Sequence, residues 1–316
     1  MNGLSHLLKT EYGIITTSVF PAKGGFSAKA AYHVVGADGA EYFVKVYDKS
    51  LPTTGFFVER IDFYMPVLEW LSSSPALYGR VLTPIPTLDG TYKAETDNDV
   101  YAVFLFVEGD VPGIQAMTQA QTVELAKTLA LLHDISQAIP FPTPGLNEDI
   151  SLSFCEQLVK YLSKAKMMDG KLSNLMLPNA DMLSRAIHEI LHLRDKIRTG
   201  YYPIVLCHGD AHGNNVIQSK QLVLADWEDL RWAPAEADLF IHSWHNHGDI
   251  FLKAYAAARQ NYIISKELLY FYTLRRRIED IWVDVQRLTE ESPNETEMEE
   301  LFGWLQQSIA EVKVLL

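Results

Sequence analysis

His208-Gly209-Asp210-Ala211-His212-Gly213-Asn214-Asn215 is followed further along the chain by an apolar stretch, Leu222-Val223-Leu224-Ala225, that ends on Asp226. The order is His-x-Asp, then an Asn five positions after that Asp, then a second Asp beyond a short hairpin. Phosphoryl transfer from a nucleotide needs such groups in this order. One carboxylate faces the hydroxyl to be phosphorylated, while a side-chain amide and a second carboxylate hold Mg²⁺ against the phosphates. Taken alone, the three residues could equally serve turns and strand ends. Elements upstream tip the balance.

Working back toward the N-terminus, Lys45 sits in the alternating strand Tyr42-Phe43-Val44-Lys45-Val46-Tyr47, which can aim its ammonium at the α- and β-phosphates of a nucleotide. Glu59, on a helix expected over Phe56 to Leu71, is the expected partner of that lysine, with Asp62 as its rival because Pro66 disturbs the helix register. Gly24-Gly25-Phe26-Ser27 lies between two expected strands, where glycines let backbone N–H groups approach phosphate oxygens. Ala30 to Val35 and Tyr42 to Tyr47 read as a hairpin around Gly36-Ala37-Asp38-Gly39, and Val81 to Leu88 and Val100 to Val107 as further strands. After Glu108-Gly109-Asp110 the texture becomes helical. Thr118 and Gln121 form a capping-box signature, and further helices are expected over Ser153 to Lys166 and Asp181 to Arg198. The reading is an α+β chain with a small β-rich N-terminal lobe, residues 1–108, and a larger helical C-terminal lobe, residues 109–316.

Composition bounds the partners. A formal net charge of −13 argues against a nucleic-acid partner, which calls for a basic footprint, and is compatible with a cationic small molecule. The apolar run Val100 to Val107 is too short to span a bilayer, and Met1 to Ile15 lacks a signal-peptide pattern. Two cysteines, Cys155 and Cys207, exclude a disulfide framework and fit a reducing cytoplasm. Oligomeric state is not legible.

From Gly24 to about Phe240 the chain resembles the aminoglycoside phosphotransferase and choline kinase family, relatives of the protein kinases. The most specific part is Val205 to Asn215, Leu224-Ala225-Asp226-Trp227-Glu228, Ala233-Pro234 and Asp238-Leu239, where it looks most like spectinomycin phosphotransferases. The resemblance implies a two-lobed protein-kinase-like fold that uses ATP and Mg²⁺. It implies Asp210 as catalytic base, Asn215 and Asp226 as magnesium ligands, Lys45 as the phosphate-binding lysine and Ser27 over the β-phosphate. Leu105 (carbonyl) and Val107 (amide) would meet the adenine edge, and Phe43 would stack on the purine. Asp238 would anchor the 208–215 loop, and His133 would pack near the lobe boundary. Trp227 stands where protein kinases have a Phe, and the helices after Asp238 carry no alignable motif. The implied acceptor is a hydroxyl of an aminoglycoside or aminocyclitol antibiotic. Its alternatives are a metabolic hydroxyl, as in choline, homoserine, methylthioribose or fructosamine kinases, or a kinase fold that only binds.

Two other motifs compete. His188-Glu189-Ile190-Leu191-His192 matches the zinc-peptidase pattern, but it borders the apolar stripe of a helix and lacks a third ligand. His242-Ser243-Trp244-His245-Asn246-His247 reads as histidines at a helix start, and Arg275-Arg276-Arg277 with Glu279, Asp280 and Asp284 as a charged helix face.

Overall fold

The computed structural model describes residues 2–23, 28–51, 54–114, 116–168, 170–244, 247–291 and 293–316. In chain order the elements are α1 (Asn2–Tyr12), β1 (Thr16–Ala22), β2 (Ala30–Gly36), β3 (Glu41–Asp48), α2 (Thr54–Ser73), β4 (Pro84–Ile85), β5 (Ala94–Glu95), β6 (Asp99–Leu105) and α3 (Gln119–Ile135). Then follow α4 (Ser153–Ser163), α5 (Gly170–Met176), α6 (Ala180–Thr199), β7 (Ile204–Cys207), β8 (Val216–Gln218), β9 (Leu222–Leu224) and β10 (Arg231–Pro234). The chain ends with α7 (Glu236–Leu239), α8 (Gly248–Ala258), α9 (Lys266–Glu290) and α10 (Glu295–Leu315). The chain divides into two compact units, residues 1–147 with 204–263, and residues 148–203 with 264–316. The expected boundary at 108/109 falls inside the first of these.

In the first unit an antiparallel sheet runs β1-β2-β3-β6-β4, with β5 also on β6. Strand alternation gives it two faces. Val34, Tyr42, Val44, Val46 and Val103 pack with Leu7, Leu8 and Tyr12 of α1. The opposite face carries Ala31, His33, Phe43, Lys45, Tyr47 and Phe104, set side by side by the registers Ala31↔Lys45, His33↔Phe43 and Phe43↔Phe104. The strand expected over Val81 to Leu88 shrinks to Pro84–Ile85. Pro84 and Pro86 lack the N–H groups a longer ladder needs.

Helix α2 starts earlier than expected and continues through Pro66, which neither begins nor ends it. Ile61, Tyr64, Met65, Leu68 and Leu71 form its buried stripe, and tertiary packing outweighs the one backbone bond that the proline removes. Helix α3 starts at the capping box: Thr118 Oγ1 accepts from Gln121 N and the Gln121 side chain accepts from Thr118 N. Its Leu125, Leu129 and Leu132 are buried. Beyond it, β7 pairs antiparallel with β10, and β8 with β9 as a hairpin. These two ribbons hold the 208–215 loop and Asp226 at their ends.

The second unit is helical: α4, α5, α6, α9 and α10. Leu183, Ala186, Ile187, Ile190, Leu193 and Ile197 of α6 face its core, which leaves His188 and His192 exposed. Among the described residues this pair meets no third metal-ligating side chain. Arg276 pairs with Asp280 at 2.8 Å, as the charged-face reading of α9 expects. No described helix is long and apolar enough to cross a membrane.

Candidate active site

The residues of interest all belong to the first unit. Asp238 fixes the 208–215 loop. Its carboxylate accepts from His208 N at 2.9 Å and Gly209 N at 2.6 Å, and pairs with His133 Nε2 at 2.9 Å. Burial pushes this carboxyl up, but His133 and the backbone donors outweigh it and hold it below the usual carboxylate range. His133 Nδ1 in turn meets the Tyr255 hydroxyl at 2.6 Å. His208 is buried, and burial lowers its pKa. The neutral ring fits its contacts: Nδ1 accepts from Asp210 N at 3.3 Å while Nε2 donates to Ala225 O at 2.9 Å. That last bond ties the loop of Asp210 to the segment of Asp226.

Two close backbone approaches shape the loop. Gly209 has φ +88°, and a Cβ there would lie 2.5 Å from the Asp229 carbonyl oxygen. Gly113 N donates to Gly213 O at 3.0 Å, and a Cβ on Gly213 would land on the Gly113 carbonyl. Only glycine fits at either place.

Asp210 is partly exposed. Asn215 Nδ2 donates to its backbone oxygen at 2.9 Å and to its Oδ2 at 2.8 Å. Both partners are acceptors, so the amide nitrogen must face them, and the Asn215 carbonyl oxygen points the other way. His212 Nε2 lies 3.4 Å from the same Oδ2. Asp226 adopts a left-handed backbone, φ 65° and ψ 62°, a costly state for a residue with a Cβ. The turn into the helical Trp227–Asp229 segment imposes it, and Trp227 is buried beneath, its indole N–H donating to Leu224 O at 2.9 Å.

Lys45 is 5% exposed, and its ammonium donates to Asp226 Oδ1 and, at 2.8 Å, to Glu228 Oε1. Burial disfavours the charge, but the two carboxylates prevail and raise the lysine above its usual value. Asp226 is lowered against burial by Lys45, while Glu228, the more deeply buried of the two, is raised by burial. The expected Lys45–Glu59 pair is not formed. Glu59 is exposed on α2, and its rival Asp62 binds Lys93 at 2.8 Å. Helix α2 instead sends Arg60 inward, with Nε donating to Glu228 O at 2.8 Å and NH2 to Leu230 O at 2.5 Å.

At the end of β6, Leu105 N donates to Thr83 O at 2.9 Å, away from β3, and Phe106 N turns back to Glu41 O at 2.9 Å. In an extended strand a residue's N–H and C=O share an edge, so the Leu105 carbonyl points away from β3. Val107 lies two residues beyond the end of β6. Phe43 and Lys45 lie on one face of β3, with Phe43 opposite Phe104. Ser27 and the Gly24-Gly25 pair lie outside the described residues.

Several contributors were missed by sequence reasoning. Glu228 holds Lys45 and is itself held by Tyr47 and Arg60, and His33 stacks on Phe106 at 3.8 Å. His242 meets Ala211 O through Nε2 at 2.8 Å, next to Asp210. Glu228 alone carried a local signal: it follows Asp226 by two residues within the motif Leu224-Ala225-Asp226-Trp227-Glu228.

The profile of the phosphotransferase enzyme family matches residues 19–271. The chain belongs to this family. A phosphotransferase of this kind transfers phosphate to a hydroxyl group, and the fold agrees with known structures. Crystal structures of spectinomycin phosphotransferase APH(9)-Ia with ADP and spectinomycin share the kinase-like α+β fold, with a TM-score of 0.74, 20% identity, and coverage of 99% of this chain and 98% of that one. The macrolide 2'-phosphotransferase MphH from Brachybacterium faecium is similar at a TM-score of 0.60 and 14% identity, covering 96% of this chain and 98% of its own. The GDP and kanamycin complex of APH(2")-IIIa gives a TM-score of 0.65 at 12% identity, covering 100% and 98%. No curated protein sequence matches the phosphotransferase.

Proposed function

We propose that the chain is an ATP-dependent kinase for a cationic small molecule, with an aminocyclitol or aminoglycoside antibiotic of the spectinomycin kind as acceptor. The observation that carries the chemical part is the Asn215 amide. Its nitrogen is committed to Asp210, which sets one carboxylate oxygen and frees the amide oxygen for a hard cation. Asp226 adds a carboxylate, so the available donors are oxygens, as Mg²⁺ requires. Mg²⁺, when bound by Asn215 and Asp226, supplies positive charge beside the transferring phosphate.

The other roles fall to the chain itself. Asp210 accepts a hydrogen bond from the acceptor hydroxyl, orients it, and takes its proton as the phosphoryl group transfers. Such a base contributes about 10²–10⁴-fold. Lys45 neutralises the α- and β-phosphates. The edge formed by Leu105 and Val107 receives adenine, Phe43 faces the purine, and Ser27 covers the β-phosphate. The antibiotic acceptor draws its support from the near-complete overlap with spectinomycin phosphotransferase and from the net charge of −13, which favours a cation. Cys155 and Cys207 are both buried thiols, in keeping with a reducing cytoplasm.

The test is growth of a susceptible bacterium expressing the chain on spectinomycin and several aminoglycosides, paired with ATP turnover by the purified protein. Protection that Asp210→Asn abolishes supports the proposal. Turnover with choline, homoserine, methylthioribose or fructosamine, and none with antibiotics, moves the acceptor to metabolism. Nucleotide binding with no turnover on any acceptor leaves a binding protein and refutes the kinase.

A further inference from the structure

In protein kinases the phosphate-binding lysine is oriented by a glutamate on the helix that follows its strand. Here that helix turns its candidate acids elsewhere: Glu59 is exposed and Asp62 is occupied by Lys93. The lysine is nonetheless buried and held. Glu228 Oε1 accepts from Lys45 Nζ at 2.8 Å and from the Tyr47 hydroxyl at 2.5 Å. Tyr47 follows Lys45 by two residues on the same face of β3, and it is fully buried. Arg60 holds the Glu228 backbone from α2. Glu228 is therefore fixed at the carboxylate by Tyr47 and at the carbonyl by Arg60.

We propose that Glu228, clamped by Tyr47 and Arg60, is the positioning residue for Lys45, in the role the helix glutamate plays in protein kinases. The inference rests on the nucleotide-binding reading of the site. It also divides labour between the two acids. Asp226 and Glu228 both hold the lysine, and Glu228 Oε1 also takes the Tyr47 hydroxyl. When Asp226 turns to a cation, Glu228 keeps Lys45 aimed at the phosphates. The helix then contributes through Arg60, whose contacts are to backbone carbonyls, and its acids are dispensable for this purpose.

The test uses Glu228→Gln and Tyr47→Phe in the full chain, with thermal unfolding to establish that each is folded. Lys45 position is read by an acyl-phosphate derivative of ATP, in EDTA. The lysine amine attacks the acyl carbon, an amide N–C bond forms, the C–O bond to phosphate breaks, a proton leaves the nitrogen and ATP departs. Peptide mass spectrometry quantifies the acylated Lys45, and calorimetric titration of ADP reports nucleotide affinity separately. Both variants are expected to lower Lys45 acylation at least fivefold with ADP affinity within threefold of the parent. Where an acceptor is known, kcat should fall at least tenfold with KM for ATP changed less than threefold. Glu59→Gln giving these losses while Glu228→Gln stays near the parent would overturn the proposal. So would reduced turnover in Glu228→Gln with parental Lys45 acylation. The acylation needs no acceptor, so a parent protein that binds no ADP and takes no label instead defeats the nucleotide reading itself.

Discussion

Replacing Asp284 by Asn should stabilise the protein at alkaline pH and do much less at acidic pH. Asp284 lies on α9 in the helical unit and is 6% exposed. Burial, helped by Asp280 one turn away and only partly offset by Arg287, pushes its carboxyl up to about 7. In the unfolded chain it titrates at about 3.9. Between those values the native state keeps a proton that the unfolded state has lost, so stability falls as pH rises through this window. Below pH ~4 both states are protonated and the penalty is absent; above the folded value it is complete. A change of about 3 pH units at ~1.36 kcal/mol each sets an upper limit of ~4 kcal/mol, and residual water contact brings the expectation to about 2 kcal/mol. Asn keeps the shape without the charge. Urea unfolding of parent and variant at pH 5 and pH 8, with unchanged m-values, should give Asp284→Asn a larger advantage at pH 8 by at least ~1 kcal/mol. An equal effect at both pH values, or destabilisation at pH 8, would refute the reasoning.

Gly209→Ala should destabilise by about 1–3 kcal/mol and depress turnover together, since φ +88° and the Asp229 carbonyl oxygen 2.5 Å away oppose any Cβ; an unchanged Tm by calorimetry counts against this. Asp238→Asn should cost about 3–5 kcal/mol in urea unfolding at pH 7, because an amide turns one N–H donor toward donors that now meet a carboxylate. Its depressed pKa means that this contribution is present above the unfolded value and is lost as pH falls through the folded one, so the two proteins should converge in acid.

The placement of the candidate residues around Asp210 was legible because it is local. Asp210, Asn215 and Asp226 lie at the ends of two short ribbons, one of them the β8–β9 hairpin, and motif spacing carries over to geometry there. The Lys45 partner was not. Residue spacing says that Glu59 is on a helix but not which side faces the sheet, and the contact actually made spans 183 positions of sequence. Helix α1 was missed because its Leu7, Leu8 and Tyr12 gain their burial from a sheet not yet formed. The second unit is discontinuous, with residues 148–203 joined by 264–316, and helical texture alone carries no mark of that return. Pro66 misled for a similar reason: a local penalty of about 3 kcal/mol is visible in sequence, while the buried stripe that overrides it is a tertiary property.

The meeting of Gly113 with Gly213 bears on how this enzyme could be re-engineered. The chain at Gly113, past the end of β6, lies backbone to backbone against the loop of Asp210, with no side chain between them to resize. A mutational search for new acceptors finds no gradual path there, because the smallest step at position 213 already collides with main chain and a second change at 113 adds bulk instead of making room. Variation in acceptor choice has to accumulate elsewhere, and this seam drops out of any sensible library.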